Sequence, residues 1–456
     1  MIRFLKPILR KTILLFDENR HNIGRVPLRV ARELVGTKHA KVIQNNPTII
    51  GLKQFSRSSC KSNGNAVANN PIKNLINVAS LFTAKSPYRR LHNTVLFKFL
   101  NNRLCVTATD LESYFVGSLE SGNECNFACD GINAVCINSD SLKRLFSSHD
   151  RITNVKILGG NKPGLQIGSF FIEGSPADEF PQIVLPKGNQ YSCTIDDIVT
   201  GLAFVGTAKS TNRNNEVLSG IYFDIKQGQL VCTDGSRLHM ASINGQRNSD
   251  KSAIVPSALL KVARWLSGSV TLVEHKNNES MQTDAIFTLN IPGCVHCAAR
   301  YRSIDGQFPR YQEVIPKSFA SKFVANTKEL HQVLVNAQMA ARANNDQESV
   351  ICEFTDEELK VTMKYLGNIV YRGAVRGQYS GPDHVGQINI NYLVDVVQAI
   401  PDELMEISLQ KASNEAWTIR CNLGFVAIVM PLEINPTEAY LVLFVNSTTT
   451  NSSLFE

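Results

Sequence analysis

Three stretches of the chain share one rhythm of apolar and polar positions. Each reads as a short strand, a tight polar turn and a second strand: LFKFLNNRLCVTATD (96–110), IYFDIKQGQLVCTDG (221–235) and ICEFTDEELKVTMKY (351–365). Alternation with period two around polar turn residues predicts β-hairpins. The hairpins start 125 and 130 residues apart, a domain-sized period. Each follows an amphipathic segment of helical period, PIKNLINVASLF (71–82), TIDDIVTGLAFVG (194–206) and TKELHQVLVNAQM (327–339). Each precedes a second one, SDSLKRLFSSHD (139–150), PSALLKVARWLSG (256–268) and INYLVDVVQAIPD (390–402), and then a closing strand pair. Helix, strands, helix, strands, three times over, predicts an α+β fold of three tandem domains, each laying two helices on one face of an antiparallel sheet. Pro-punctuated segments, PADEFPQ (176–182) and GQFPRYQEVIP (306–316), put the boundaries near 190 and 318. The expected organisation is a basic extension over 1–70, domains over 71–190, 191–317 and 318–434, and a tail over 435–456.

Charge changes this picture only at one end. The net charge is +7, but residues 1–70 hold 13 Lys/Arg against 3 Asp/Glu, which leaves 34 against 37 in the body. Contact with nucleic acid by the body therefore depends on local groups of basic side chains. No apolar run approaches the ~20 residues of a membrane span. The 11 cysteines fit a reducing compartment, where Cys acts as a small buried hydrophobe. Cys125 with Cys129, and Cys294 with Cys297 around His296, are close pairs, but neither has a second pair at zinc-finger spacing, so they read as strand residues. The segment GLAFVGTAKS (201–210) fails as a phosphate loop because Lys209 is displaced from its second glycine. No catalytic constellation of Ser/His/Asp or paired carboxylates can be assembled, and no cofactor is implied.

The motifs TDGSRLHM (233–240), IVPSALLK (254–261), FPRYQEVIP (308–316), NINYLVDVV (389–397) and VMPLEI (429–434), in this order, resemble the β subunit of bacterial DNA polymerase III, the sliding clamp, over about residues 71–434. The resemblance implies a non-catalytic processivity factor. Its expected form is a head-to-tail homodimeric ring around duplex DNA, with helices lining the hole. It also implies sequence-independent phosphate contacts and docking of a polymerase catalytic subunit and a clamp loader. The DNA-facing residues it implies are Lys85, Arg89, Arg90, Lys143, Arg144, Lys209, Arg213, Lys261 and Arg264. Lys261 and Arg264 are expected i,i+3 on one helix. Glu216 and Val217 depart from the aromatic positions of the pattern before Leu218.

The implied peptide cleft takes Leu218, Thr233, Gly235, Arg237, Leu238, Pro309, Val314, Asn389, Tyr392, Val429, Met430, Pro431 and Leu432. An apolar groove with a few polar anchors suits an extended peptide. Glu313 and Glu433 stand where relatives carry basic residues. The implied dimer interface takes Phe170 and Ile172 from the first domain and Met339 and Ala340 from the third. Ser169 and Ile167 replace its basic positions.

Residues 13–55 depart from this pattern and resemble the amino-terminal domain of translation initiation factor 3. That resemblance gives the rival reading, a ribosome-associated factor carrying a degenerate clamp body. The first 16 residues are basic and free of acids, which is compatible with mitochondrial targeting as the alternative to a cytoplasmic, nucleoid-associated protein. In the tail, Tyr440-Leu441-Val442-Leu443-Phe444 resembles the peptide that clamp partners insert, without its leading Gln. A frayed end running into NSTTTNSS is the plainer expectation.

Overall fold

The computed structural model describes residues 12–16, 22–27 and 70–433, with breaks in the last range at 85–92, 123–124, 149–153, 184–185, 213, 246–250, 278–279, 345–347 and 356. The chain divides into two compact units, 1–67 and 68–456. In the first, Thr12–Phe16 pairs antiparallel with Asn22–Pro27. The rest of the segment likened to the initiation factor, and the tail peptide 440–444, lie outside the described residues.

All three hairpins form: Thr94–Leu100 with Arg103–Thr109, Gly220–Asp224 with Gln229–Thr233, and Ser349–Phe354 with Glu358–Tyr365. Each continues into a third strand, Ser113–Glu120, Arg237–Ser242 and Asn368–Ser380. The first helices are α1 (Pro71–Ala79), α2 (Ser139–Ser148) and α3 (Ile198–Val205), and the third repeat supplies α4 (Thr327–Ala343) and α5 (Ile390–Ala399). Their starts follow capping chemistry: Asn70, Asn326 and Asn389 each accept a backbone N–H of the first turn, and Pro71 sits where a missing N–H costs nothing.

One expected helix does not form. Over 256–268 the chain makes two 3-10 turns, Ser257–Lys261 and Ala263–Trp265. Val262 between them lies at φ −109°, ψ 1°, outside the helical region, so the hydrogen-bond ladder breaks there. Both ends of the segment are pinned by sheet pairing, Pro256 to Gly220 and Leu266 to Leu289.

The repeats share sheets instead of standing apart. An eight-stranded sheet runs from the second repeat into the first, and a twelve-stranded sheet runs from the second into the third. At the first seam the strand Val295–Arg302, the last of repeat two, pairs antiparallel with Ser113–Glu120, the third of repeat one. At the second, Phe425–Val429, the last of repeat three, pairs antiparallel with Arg237–Ser242, the third of repeat two. Each seam is roofed by an aromatic from the first helical segment. Phe82, just beyond α1, lies 5.5 Å from Phe115 and 5.6 Å from Tyr301, while Phe204 of α3 lies 5.1 Å from His239 and 4.8 Å from Phe425, centroid to centroid. These are favourable ring contacts in addition to the area they bury.

His239 sits in the second seam, fully buried, with Nδ1 2.9 Å from Thr207 Oγ1 and 3.3 Å from the Phe204 carbonyl. Burial, reinforced by the charge of Arg237, pushes its pKa down to about 3. The folded state thus holds the neutral ring, while the unfolded chain takes up a proton below about pH 6.5. The stabilisation is complete above that value and is lost as pH falls toward 3. Urea unfolding is predicted to lose about 2 kcal/mol from this group between pH 7.5 and 5. His239→Phe should flatten that part of the acid limb, whereas an unchanged slope would remove His239 from the account.

Candidate functional site

The residues expected to form a cleft meet on the sheet face away from the helices. Strands with apolar residues on both faces imply that the outer face is also covered. Here Val231, Leu238, Met240 and Ile254 point outward under Phe308 and Tyr311 of the segment that joins repeats two and three, with Val217, Leu218, Tyr222 and Ile315 packed around them. The Tyr222 and Phe308 rings stack at 4.7 Å and 6°. Tyr311 donates its hydroxyl to Asp224 Oδ2 at 2.9 Å, and burial together with that carboxylate pushes the phenol above its ordinary range. A cavity of about 470 Å³ opens beside the joining segment, lined by Tyr222, Ile254, Met281, Phe308, Pro309 and Tyr311. Sequence reading named Leu218, Leu238 and Pro309 but missed Tyr222, Met240, Ile254, Phe308 and Ile315, although the unbroken apolar runs of their strands carried the signal.

Past this cluster the apolar surface is open to solvent. Val314 is 57% exposed, Met430 45% and Leu432 39%. The Met430 N–H donates to the Ser236 carbonyl at 3.0 Å and the Leu432 N–H to that of Gln387 at 2.7 Å, which fixes 430–432 and half-buried Pro431 between repeats two and three. The neighbouring turn is set by its own side chains: Asp234 Oδ1 accepts the N–H of Ser236 and of Arg237, and Thr233 Oγ1 donates to the Arg237 carbonyl. Gly235, at φ +98°, takes the left-handed position there.

Arg237 is the polar centre of the cleft. Its Nε donates to Asp234 Oδ2 at 2.9 Å and its Nη1 to Asp395 Oδ2 at 2.7 Å, and its guanidinium lies 4.4 Å above the Tyr392 ring. One side chain therefore ties a turn of repeat two to α5 of repeat three. Two expected lining residues are corrected. Val429 is fully buried in the core on the helix side, because it falls on the inward phase of its strand. Asn389 is spent on capping α5 and on Glu348 Oε2, 2.9 Å away.

The basic residues fall in two classes. Lys143 and Arg144 are exposed on α2, with Lys143 3.8 Å from Asp140. Lys261 and Arg264 are exposed too, but on separate 3-10 turns and not on one helix, and Arg264 lies 3.9 Å over the Trp265 ring. Lys209 is half-buried. Lys85, Arg89, Arg90 and Arg213 lie outside the described residues.

Two strand edges remain, and they are the counterparts of the strands that form the seams. Phe170–Glu173, the last strand of repeat one, pairs only with Gly164–Ile167. Asn368–Ser380, the third strand of repeat three, is paired along its other edge only at 377–380. Phe170 is 41% exposed and Phe171 48%, while Ile172 packs inward. On the other edge Ile369 is 48% exposed, and Met339 of α4, near the helix end where Phe82 and Phe204 roof the seams, is 55% exposed against 1% and 0% for those two. Ala340 packs on the core.

Among the described residues no cluster of three or more His, Cys, Asp or Glu side chains is placed to hold a metal ion. Comparison with known proteins agrees with this architecture. Residues 312–432 match the family described as DNA polymerase III beta subunit, C-terminal domain. The beta sliding clamp of Proteus mirabilis is 24% identical over 364 residues, 75% of this chain and 91% of that protein. That of Haemophilus influenzae is 22% identical over 373 residues, 75% and 92%. The structure of the DNA polymerase III beta subunit of Thermotoga maritima superposes with a TM-score of 0.67 at 22% identity, covering 80% of this chain and 98% of that one, and that of Pseudomonas aeruginosa with 0.65 at 20%, covering 80% and 98%. The seams, the outer cleft and these matches together assign the chain to the DNA polymerase III β-subunit family, the β sliding clamps.

Proposed function

We propose that two copies of this chain close head to tail into a ring around duplex DNA, and that the outer cleft captures peptide segments of a polymerase and of a clamp loader. The observation that carries the ring is the pairing rule inside the chain. Both internal seams join a third strand to a last strand, and a third strand and a last strand are what remain open at the two ends. A contact between one chain's 368–376 edge and another's 170–173 edge repeats the internal seam. It is heterologous, so it closes only through rotation. Open apolar edges left uncovered invite nonspecific pairing, and ring closure removes them.

The edges also differ in charge, with Glu173 on one and Arg372 and Arg376 on the other. Duplex DNA inside such a ring is held by topology, so Lys143, Arg144, Lys261 and Arg264 need only weak, exchangeable phosphate contacts. Val314, Met430 and Leu432 supply apolar contacts for an extended peptide, with Arg237 as the polar anchor beside them. No catalytic role is proposed, and the proposed compartment is the cytoplasm.

Sedimentation at micromolar concentration is predicted to give twice the chain mass. Phe170→Asp with Met339→Asp should give a folded species of single-chain mass, because burying each apolar side chain contributes about 1.5–3 kcal/mol. A double variant that stays dimeric would contradict the proposed interface. Met430→Asp with Leu432→Asp should weaken a fluorescent apolar partner peptide about tenfold or more, roughly 1.4 kcal/mol, without changing that mass. An unchanged dissociation constant would move the peptide site elsewhere.

A further inference from the structure

At the end of the first seam the chain builds a pair of thiols that the clamp role does not use. Gly293 and Cys294 follow a tight turn, in which the Cys294 N–H donates to the Ile291 carbonyl at 3.0 Å, and Cys297 lies three residues on. In a regular strand residues three apart point to opposite faces. Here the register shifts between Val295, opposite Ser118, and Ala298, opposite Val116, so two residues of one strand face Gly117 alone. That is a β-bulge, and His296 within it takes the left-handed φ of +51°. The extra residue turns the Cys297 side chain back toward that of Cys294.

Gly117 makes the room. A Cβ built there would lie 3.0 Å from Cys297 Sγ and 2.5 Å from Leu75 Cδ1. The two thiols are hydrogen-bonded to each other, and the Ser118 backbone also hydrogen-bonds Cys297. Hydrogen bonding from Cys294 is the main cause that holds the Cys297 thiol below its ordinary value despite burial, and Cys294 is raised in turn. Cys294 Sγ also lies 3.5 Å from the Pro71 carbonyl at the start of α1, and it is half-buried while Cys297 is 2% exposed.

We propose that Cys294 and Cys297 are a redox-active dithiol that hydrogen peroxide converts to an intramolecular disulfide. The Cys297 thiolate attacks one peroxide oxygen and the O–O bond breaks. The hydroxide that leaves takes a proton to become water, and Cys297 becomes a sulfenic acid. Cys294 loses its proton and attacks the sulfenic sulfur, expelling a second water. Two thiols and one peroxide thus give one disulfide and two waters. Oxidation removes the Cys294 thiol proton that faces the Pro71 carbonyl, so the switch acts at the junction of α1 with the first seam.

The test uses the full folded chain, treated with hydrogen peroxide, then alkylated under denaturing conditions and digested with trypsin. The fragment 277–300 holds Cys294 and Cys297 and no other cysteine, so its mass is diagnostic. The expected result is an unalkylated fragment lacking two hydrogens, converted by dithiothreitol to the doubly alkylated form. Cys294→Ser should instead trap Cys297 as a sulfenic acid that reacts with dimedone, and Cys125→Ser should leave the disulfide unchanged. Full alkylation of both thiols after peroxide, oxidation only to sulfonic acid, or a crosslink from either cysteine to Cys125 would each overturn the proposal.

Discussion

The structure depends on one repeated interaction, the backbone pairing of a third strand with the last strand of the following repeat, roofed by an aromatic from the first helical segment. A repeat by itself would leave two open strand edges and an exposed ring. Joined, the edges satisfy each other's N–H and C=O groups, and Phe82 and Phe204 become fully enclosed. The same pairing explains why residues 68–456 form one compact unit although the sequence repeats three times. It also leaves the chain incomplete at both ends in the same chemical sense, with Met339 lacking the cover that its counterparts have.

The second seam connects architecture to the cleft. Its pairing of Arg237 with Val429 sets the turn at Asp234 and Gly235 beside the 430–432 segment, and the Arg237 guanidinium then reaches Asp395 and Tyr392. The apolar floor and the polar anchor therefore come from different repeats and exist only when the seam is made. The half-buried Arg237 pairs are worth more than exposed ion pairs because little solvent screens them, and they orient the groove as much as they stabilise it.

Much of this was legible in the sequence because it is periodic. Alternation predicted the three hairpins, the 3.6-residue period predicted the first helices, and the recurrence of both predicted the α+β repeats. The helix expected over 256–268 was lost because amphipathic period does not report whether the segment's ends are already pinned by strands, and Val262 took the non-helical turn. Val429 was misassigned because position in a motif does not give the phase of its side chain across a sheet. The open edges were not legible at all, since strand order is a property of long-range pairing. The bulge that brings Cys294 to Cys297 was hidden for the same reason, and spacing alone made the two cysteines look like ordinary strand residues.

The central claim is that binding is topological, held by a closed ring and not by affinity for a sequence or an end. Retention on nicked circular DNA after loading, measured by gel filtration at moderate salt before and after a single restriction cut, tests it most directly. The account predicts that the protein elutes with the intact circle and is lost from the linear product. Equal loss from both forms, or equal retention on both, would contradict it.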